Sequence, residues 1–137
     1  MKKKFKSILL IDDNVADNRF NQIILEEMDV ADNIQIAESG EDALNILSGS
    51  DASSPDLILL DINMPKMNGW EFLEAYKKLN LQPDKKETII VLSTSKNPED
   101  RKKAEAISSV AEFDIKPLTP AMLKKILEKY SPEEDEK

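Results

Sequence analysis

Leu57-Ile58-Leu59-Leu60-Asp61 places an aspartate directly after four apolar residues that show no polar alternation. Such a run suits a strand covered on both faces, as in a parallel sheet, rather than a strand with one wet face. Ile8-Leu9-Leu10-Ile11, ahead of Asp12, and Ile89-Ile90-Val91-Leu92, ahead of Ser93, have the same character. Ile34-Gln35-Ile36-Ala37 alternates and reads as half-exposed, and Phe113-Asp114-Ile115 is a weaker fifth strand.

Helical patterns fill the intervals. The first is expected from about Val15 to Met28, with Phe20, Ile23, Ile24 and Leu25 on its apolar face. The second opens on Ser39 and Asp42, a capping-box-like pair, carries Ala43, Leu44, Ile46 and Leu47, and stops at Gly49. The third runs from about Gly69 to Leu79 and offers Trp70, Leu73 and Tyr76 for burial. The fourth and fifth open on Asn97-Pro98 and Thr119-Pro120, each a cap residue followed by proline at the first helical position. The fifth carries Met122, Leu123, Ile126, Leu127 and Tyr130. Strand followed by helix, five times over, predicts an α/β fold: a single doubly wound, five-stranded parallel sheet with five helices. Its crossovers should be right-handed, and its ligand site should lie at the carboxyl ends of the strands, where the strand order reverses.

A length of 137 residues is ordinary for one domain and allows a core without disulfides. With no cysteine and no histidine, thiolate and imidazole metal sites and Ser-His-Asp triads are excluded. Acid–base work must fall to carboxylates, Lys or Tyr. The net charge of −8 argues against a nucleic-acid surface. No apolar stretch approaches the roughly 20 residues of a membrane span, and the Lys2-Lys3-Lys4 start is not a secretory signal. The expected location is cytoplasmic. Ser48 to Pro55 and Asn80 to Glu87 read as polar loops, residues 1–130 as one domain with no fused output module, and 131–137 as an acidic, frayed tail.

The polar residues at the strand ends carry the chemistry. Asp12-Asp13, Asp61, Ser93-Thr94 and Lys116-Pro117 each follow one of the predicted strands, so all converge on one rim. Singly, each is commonplace: an Asp after a strand is often a turn residue or an N-cap, and a lone Lys is usually solvated. Jointly they form a set. Three neighbouring carboxylates repel and raise one another's pKa unless a cation neutralises them, and Mg2+ suits oxygen ligands. A carboxylate kept ionised can attack phosphorus, while an ammonium and a hydroxyl can hold the equatorial oxygens of the phosphoryl group.

Leu9-Leu10-Ile11-Asp12-Asp13-Asn14, Asp61-Ile62-Asn63-Met64-Pro65-Lys66-Met67-Asn68-Gly69, the Ser93-Thr94 strand end and Lys116-Pro117 resemble the receiver family of two-component response regulators. The resemblance runs from about Lys6 to Tyr130. It implies a flavodoxin-like sheet of order 2-1-3-4-5, with Asp61 as phosphoacceptor. It implies that Asp12, Asp13, Asp61 and the backbone carbonyl of Asn63 hold Mg2+, and that Lys116 pairs with the acceptor carboxylate and then with the phosphoryl group. Ser93 matches the hydroxyl that bonds the phosphoryl oxygen, in preference to Thr94, which matches the small residue controlling access. Pro117 resembles the proline of a cis peptide bond that orients Lys116. Phe113 matches the aromatic switch position that responds with Ser93. A plain core Phe is an equal reading.

Two stretches depart from the family's pattern. Ser109-Val110-Ala111-Glu112 stands where many members have Gly-Ala, so the turn into the last strand is expected to be built differently. The fourth helix is thickly charged, with Glu99, Asp100, Arg101, Lys102, Lys103 and Glu105, and is read mostly as a solvated face rather than a partner surface.

The resemblance implies a stand-alone signalling protein, not an enzyme acting on an external substrate. A histidine kinase or phosphotransfer protein supplies the phosphoryl group, and an unknown downstream protein is reached by contact. A homodimer is possible, and no nucleic acid or membrane is involved. A relay or phosphate-sink receiver is the alternative. An aspartate-nucleophile phosphatase would want a second Asp where Asn63 stands, and a flavin module would want a phosphate-binding loop where Asp12-Asp13 would repel the phosphate. A non-phosphorylated pseudo-receiver is disfavoured because every expected chemical position is filled.

Overall fold

The three apolar runs lie side by side in the middle of one parallel sheet. The structure, a computed structural model, describes residues 4–48, 55–79 and 87–131. Among them five strands alternate with five helices: β1 (Phe5–Ile11), α1 (Val15–Met28), β2 (Ala31–Ala37), α2 (Gly40–Leu47), β3 (Leu57–Leu60), α3 (Gly69–Lys78), β4 (Thr88–Ser93), α4 (Pro98–Glu105), β5 (Val110–Ile115) and α5 (Pro120–Tyr130). Every strand pairing is parallel and the order is β2-β1-β3-β4-β5. The expected 2-1-3-4-5 flavodoxin-like sheet is therefore the observed one.

The absence of alternation in the central strands has a direct cause. Leu9, Ile11, Ile58, Leu60, Ile89 and Val91 point to one face, into a core shared with Ala43, Phe72, Leu73 and Ala104 of α2, α3 and α4. Ile8, Leu10, Leu57, Leu59, Ile90 and Leu92 point to the other, into a core with Leu25 of α1 and Leu123 and Ile126 of α5. Successive strand residues face opposite ways, so both parities must be apolar when both faces are covered. Each such Leu or Ile, withdrawn from water, contributes about 2 kcal/mol. β2, at the edge, buries only Ala37 fully, as its alternating sequence suggests.

The helix starts follow local chemistry. Asn14, Ser39, Asn68, Asn97 and Thr119 cap the five helices, each accepting a backbone N–H of the first turn. Asn68 and Glu71 form a full reciprocal capping box at α3, a signal that the sequence reading passed over. Ser39 accepts the Asp42 N–H, half of the expected pair.

The first helix corrects the expected apolar face. Phe20 is 46% and Ile23 41% exposed, while Asn18, Asn21 and Leu25 are buried. The helix sits with its first turns against the polar rim of the sheet, so its inward face begins with amides and becomes apolar at Ile24 and Leu25, the part of the expected face that does pack inward. Phe72, fully buried, belongs with Leu73 inside α3, whereas Trp70 and Tyr76 are half-covered. The turn into β5 spans residues 107–110 and is closed by the Val110 N–H on Ile107 O, so Val110 to Glu112 already belong to the strand. A bulge follows: Ile89 pairs with Val110 and Ile90 with Glu112, leaving Ala111 as the extra residue. Of the charges on α4 read as solvated, Arg101 lies over the Phe113 ring at 5.1 Å and Lys103 over the Trp70 ring at 4.8 Å. The Gly49 helix stop, most of both polar loops, the first lysines and the tail after Ser131 fall outside the described residues.

Gly69 is set by close approach rather than by backbone angle. A Cβ there would sit 2.5 Å from Ile62 Cα and 2.7 Å from Ile62 Cγ2, and the Gly69 N–H already bonds Ile62 O at 3.0 Å. Gly69→Ala must push the backbone that follows Asp61. It is expected to lower the unfolding free energy by about 2 kcal/mol in urea titration. Gly40→Ala meets only the flexible end of Met67 and is expected to lose under about 1 kcal/mol. Equal losses in the two variants would refute this account.

Candidate functional site

The central strands end on one rim, and the backbone ladder continues one residue beyond them. The Asp12 N–H donates to Ala37 O, the Asp61 N–H to Ile11 O, and the Lys116 N–H to Ser93 O. These bonds hold the first residue past each strand almost as firmly as the strand itself. The strand order reverses between β2 and β3 on either side of β1, and Asp12, Asp13 and Asp61 stand at that crevice.

Asp12 and Asp61 are buried and Asp13 is exposed. One carboxylate oxygen from each lies within 4.8 Å of the other two. Asp12 is fixed on three sides. Its Oδ1 accepts the Asn14 N–H at 2.9 Å, its backbone carbonyl accepts Asn18 Nδ2 at 2.8 Å, and its Oδ2 accepts Lys116 Nζ at 2.8 Å. Burial pushes the Asp61 carboxyl up, to about 6, with the charge of Asp12 acting in the same direction. The Lys116 ammonium and a backbone hydrogen bond from Asn63 pull it back only in part.

Lys116 is largely enclosed, its side chain 12% exposed. Burial alone would lower its pKa, but hydrogen bonds to Asp12 and Asp17 and the charge of Asp61 outweigh that and hold it above the usual lysine range. Lys116 forms an ion pair with Asp61, as the resemblance implies, and closer ones with two other carboxylates. Nζ hydrogen-bonds Asp17 Oδ2 at 2.7 Å and Asp12 Oδ2 at 2.8 Å, and stands 3.8 Å from Asp61 Oδ1, beyond hydrogen-bond distance. Three carboxylates thus share one ammonium. The Lys116–Pro117 peptide bond is cis.

Ser93 is fully buried at the end of β4, and its Oγ accepts the Ser95 N–H at 3.0 Å, leaving the hydroxyl proton available. Thr94 is exposed. Asn63 is exposed as a residue and touches Asp61 through its backbone N–H. Phe113 is buried in the core on the α4 side of the sheet, beneath Arg101.

The sequence reading missed Asp17 and Asn18. A carboxylate in a first helical turn is ordinarily explained by the helix dipole, and an asparagine among apolar residues looks incidental. The available signal was position: α1 starts two residues after Asp13, so its first turn must overhang the same rim.

The donor set fits a hard divalent cation. Three carboxylate oxygens converge, one of them on an exposed residue, and no nitrogen or sulfur ligand is among them. The part-neutralised cluster around Asp61 also shows the electrostatic deficit that such a cation would fill.

Comparison with known proteins gives concordant results. A family model of the response regulator receiver domain matches residues 8–128. The fold superimposes on a two-component response regulator of Cytophaga hutchinsonii with a TM-score of 0.86 and 37% identity, covering 93% of this chain and 98% of that one. The chain is 36% identical over 100 residues to response regulator Rcp1 of Synechocystis, covering 69% of this chain and 66% of Rcp1. It is 30% identical over 118 residues to the cyclic di-GMP phosphodiesterase response regulator RpfG of Xanthomonas campestris, covering 86% of this chain but only 30% of RpfG. The chain thus spans between about a third and two thirds of these two curated relatives. Among the described residues no helix is long and apolar enough to cross a membrane.

Proposed function

This chain belongs to the response regulator receiver domain family of two-component signalling, and we propose that it takes a phosphoryl group onto Asp61 from a phosphohistidine and passes the signal on by protein contact. The observation that carries the reading is the placement of Asp61. It is a buried carboxylate at the end of a central strand, within 4.8 Å of the Asp12 and Asp13 oxygens and 3.8 Å from an ammonium.

Family membership brings Mg2+ binding at an acidic pocket, and in this chain Asp12, Asp13, Asp61 and the Asn63 carbonyl would hold the ion. Bound there, it would keep the carboxylates ionised and withdraw charge from the phosphoryl oxygens. The chain's own residues do the rest. An Asp61 oxygen attacks phosphorus, the phosphorus–nitrogen bond to the donor imidazole breaks, and its electron pair leaves on that ring. The Lys116 ammonium and the Ser93 hydroxyl donate to the equatorial oxygens. Water later attacks the acyl phosphate, its phosphorus–oxygen bond to Asp61 breaks, and inorganic phosphate leaves with the Asp61 carboxylate restored. Phe113 and Ser93, on neighbouring strands, would couple occupancy to the surface around α4 and β5. The donor is a histidine kinase or phosphotransfer protein, and the acceptor of the signal is a downstream protein. Only the chain's own aspartate turns over, so the role is signalling rather than metabolic catalysis.

Intact-mass spectrometry after incubation with Mg2+ and acetyl phosphate tests the assignment. One phosphoryl adduct is expected on the natural chain and none on Asp61→Asn or Asp61→Ala. An adduct that persists in both variants, or none on the natural chain, would overturn it.

A further inference from the structure

We propose that Asp17 is a positioning residue, which holds the Lys116 ammonium back from Asp61 and so sets how readily a phosphoryl group is accepted there. The inference rests on Asp61 being the phosphoacceptor.

Lys116 Nζ carries three N–H donors. Two are committed, to Asp12 Oδ2 at 2.8 Å and Asp17 Oδ2 at 2.7 Å, while Asp61 Oδ1 lies at 3.8 Å. The ammonium is therefore about one ångström short of a hydrogen bond to the residue it must serve. Asp12 cannot be the variable element, because it belongs to the acidic pair itself. Asp17 does not. It comes from α1, where its backbone N–H is held by Asn14 Oδ1 at 2.9 Å, so the start of the helix aims its carboxylate at the rim. Its side chain is 40% exposed, against 6% for Asp12 and 8% for Asp61. It is the most weakly enclosed of the three partners, and the one whose contact with Lys116 is most easily exchanged. When a phosphoryl group draws Nζ towards Asp61, the Asp17 contact must lengthen, and that loss is charged against the phosphorylated state.

Beryllium fluoride in the presence of Mg2+, a phosphoryl stand-in whose binding is an equilibrium, reads this directly by fluorine NMR. Asp17→Asn should bind it about three- to tenfold more tightly than the natural chain, the range of a partly exposed charged contact. It should also accept phosphoryl from acetyl phosphate faster by a similar factor. Asp17→Glu, which keeps the carboxylate, should return towards the natural affinity. The deciding arm is a Lys116→Met background, in which Asp17→Asn should change nothing. An equal gain in that background would mean simple relief of charge repulsion and would overturn the positioning role. So would unchanged or weaker binding in Asp17→Asn, provided thermal melting shows that the variant is folded. If the natural chain binds neither beryllium fluoride nor phosphoryl, the Asp61 assignment falls and this inference with it. If the natural chain binds both and only the Asp17 effects are missing, this inference falls alone.

Discussion

Lys116→Met is expected to lower the unfolding free energy of the metal-free domain by about 3 kcal/mol at pH 7. The variant keeps the length of the side chain but strands the Asp12 and Asp61 carboxylates, whose side chains are 6% and 8% exposed, without their shared cation. Removing one partner of a buried cluster is worse than never having built it, because the remaining charge stays desolvated. The pH dependence has a definite sign. The folded-state pKa of Lys116 is raised above 10.5, so its own contribution is fully present below that pH and is lost only above it. Between pH 5 and 8 the gap between the two proteins is therefore governed by the carboxylates. It should narrow as pH falls below about 6, where Asp61 takes up a proton. Saturating Mg2+ should narrow it too, by supplying the missing positive charge. Under the proposed mechanism the same variant should also accept phosphoryl about a hundredfold more slowly, the usual loss for one preorganised donor. Urea titrations with chelator and with Mg2+ at two pH values check the stability claim. Equal stability of variant and natural chain in chelator at pH 7 would sink it.

Asp61→Asn should do the opposite, stabilising the metal-free protein by about 2 kcal/mol at pH 7.5. The Asp61 carboxyl is held at about 6 against an ordinary 3.8, by burial first and by Asp12 second. A group with a raised folded-state pKa favours the folded form below its unfolded pKa and loses that advantage as pH rises through the folded value. The natural chain should thus lose stability from this one group between about pH 4 and pH 7. At roughly 1.4 kcal/mol per unit, the upper bound is about 3 kcal/mol. Asparagine carries no such charge and should lack that slope, so the advantage of the variant should fade towards pH 4. Mg2+ should reverse the order, because the ion stabilises whichever form binds it better and Asp61 is one of its proposed ligands. Thermal or urea unfolding of both proteins across pH 4 to 8 decides the matter. Parallel stability profiles would show that Asp61 is not strained by its surroundings. Together the two variants describe a site short of positive charge, in which Lys116 is the cation that the described residues place against Asp12, Asp17 and Asp61.

Much of this molecule is legible in local pattern. Runs such as Leu57–Leu60 and Ile89–Leu92 are apolar at every position because helices cover both faces of the sheet, and covering both faces requires parallel strands with helical crossovers. Asn97-Pro98 and Thr119-Pro120 mark helix starts because capping is settled within three residues. The polar residue after each run is visible for the same reason: strand ends share one rim by topology. Asp12, Asp13, Asp61, Ser93 and Lys116 are accordingly gathered from sequence order alone.

What escaped depended on how whole elements sit against one another. The apolar pattern of α1 allows more than one inward face, and docking against the polar rim turned Phe20 and Ile23 outward and Asn18 inward. The same docking brought Asp17 to Lys116, 99 residues further along the chain, at a shorter distance than Asp61. No spacing rule encodes that choice, because three carboxylates on three elements compete for one flexible side chain, and differences of about an ångström decide which of them hold it. Local pattern is enough for the sheet, the rim and the chemical types gathered there. Which charges pair across that rim is a matter of distance and burial between elements, which local pattern does not carry.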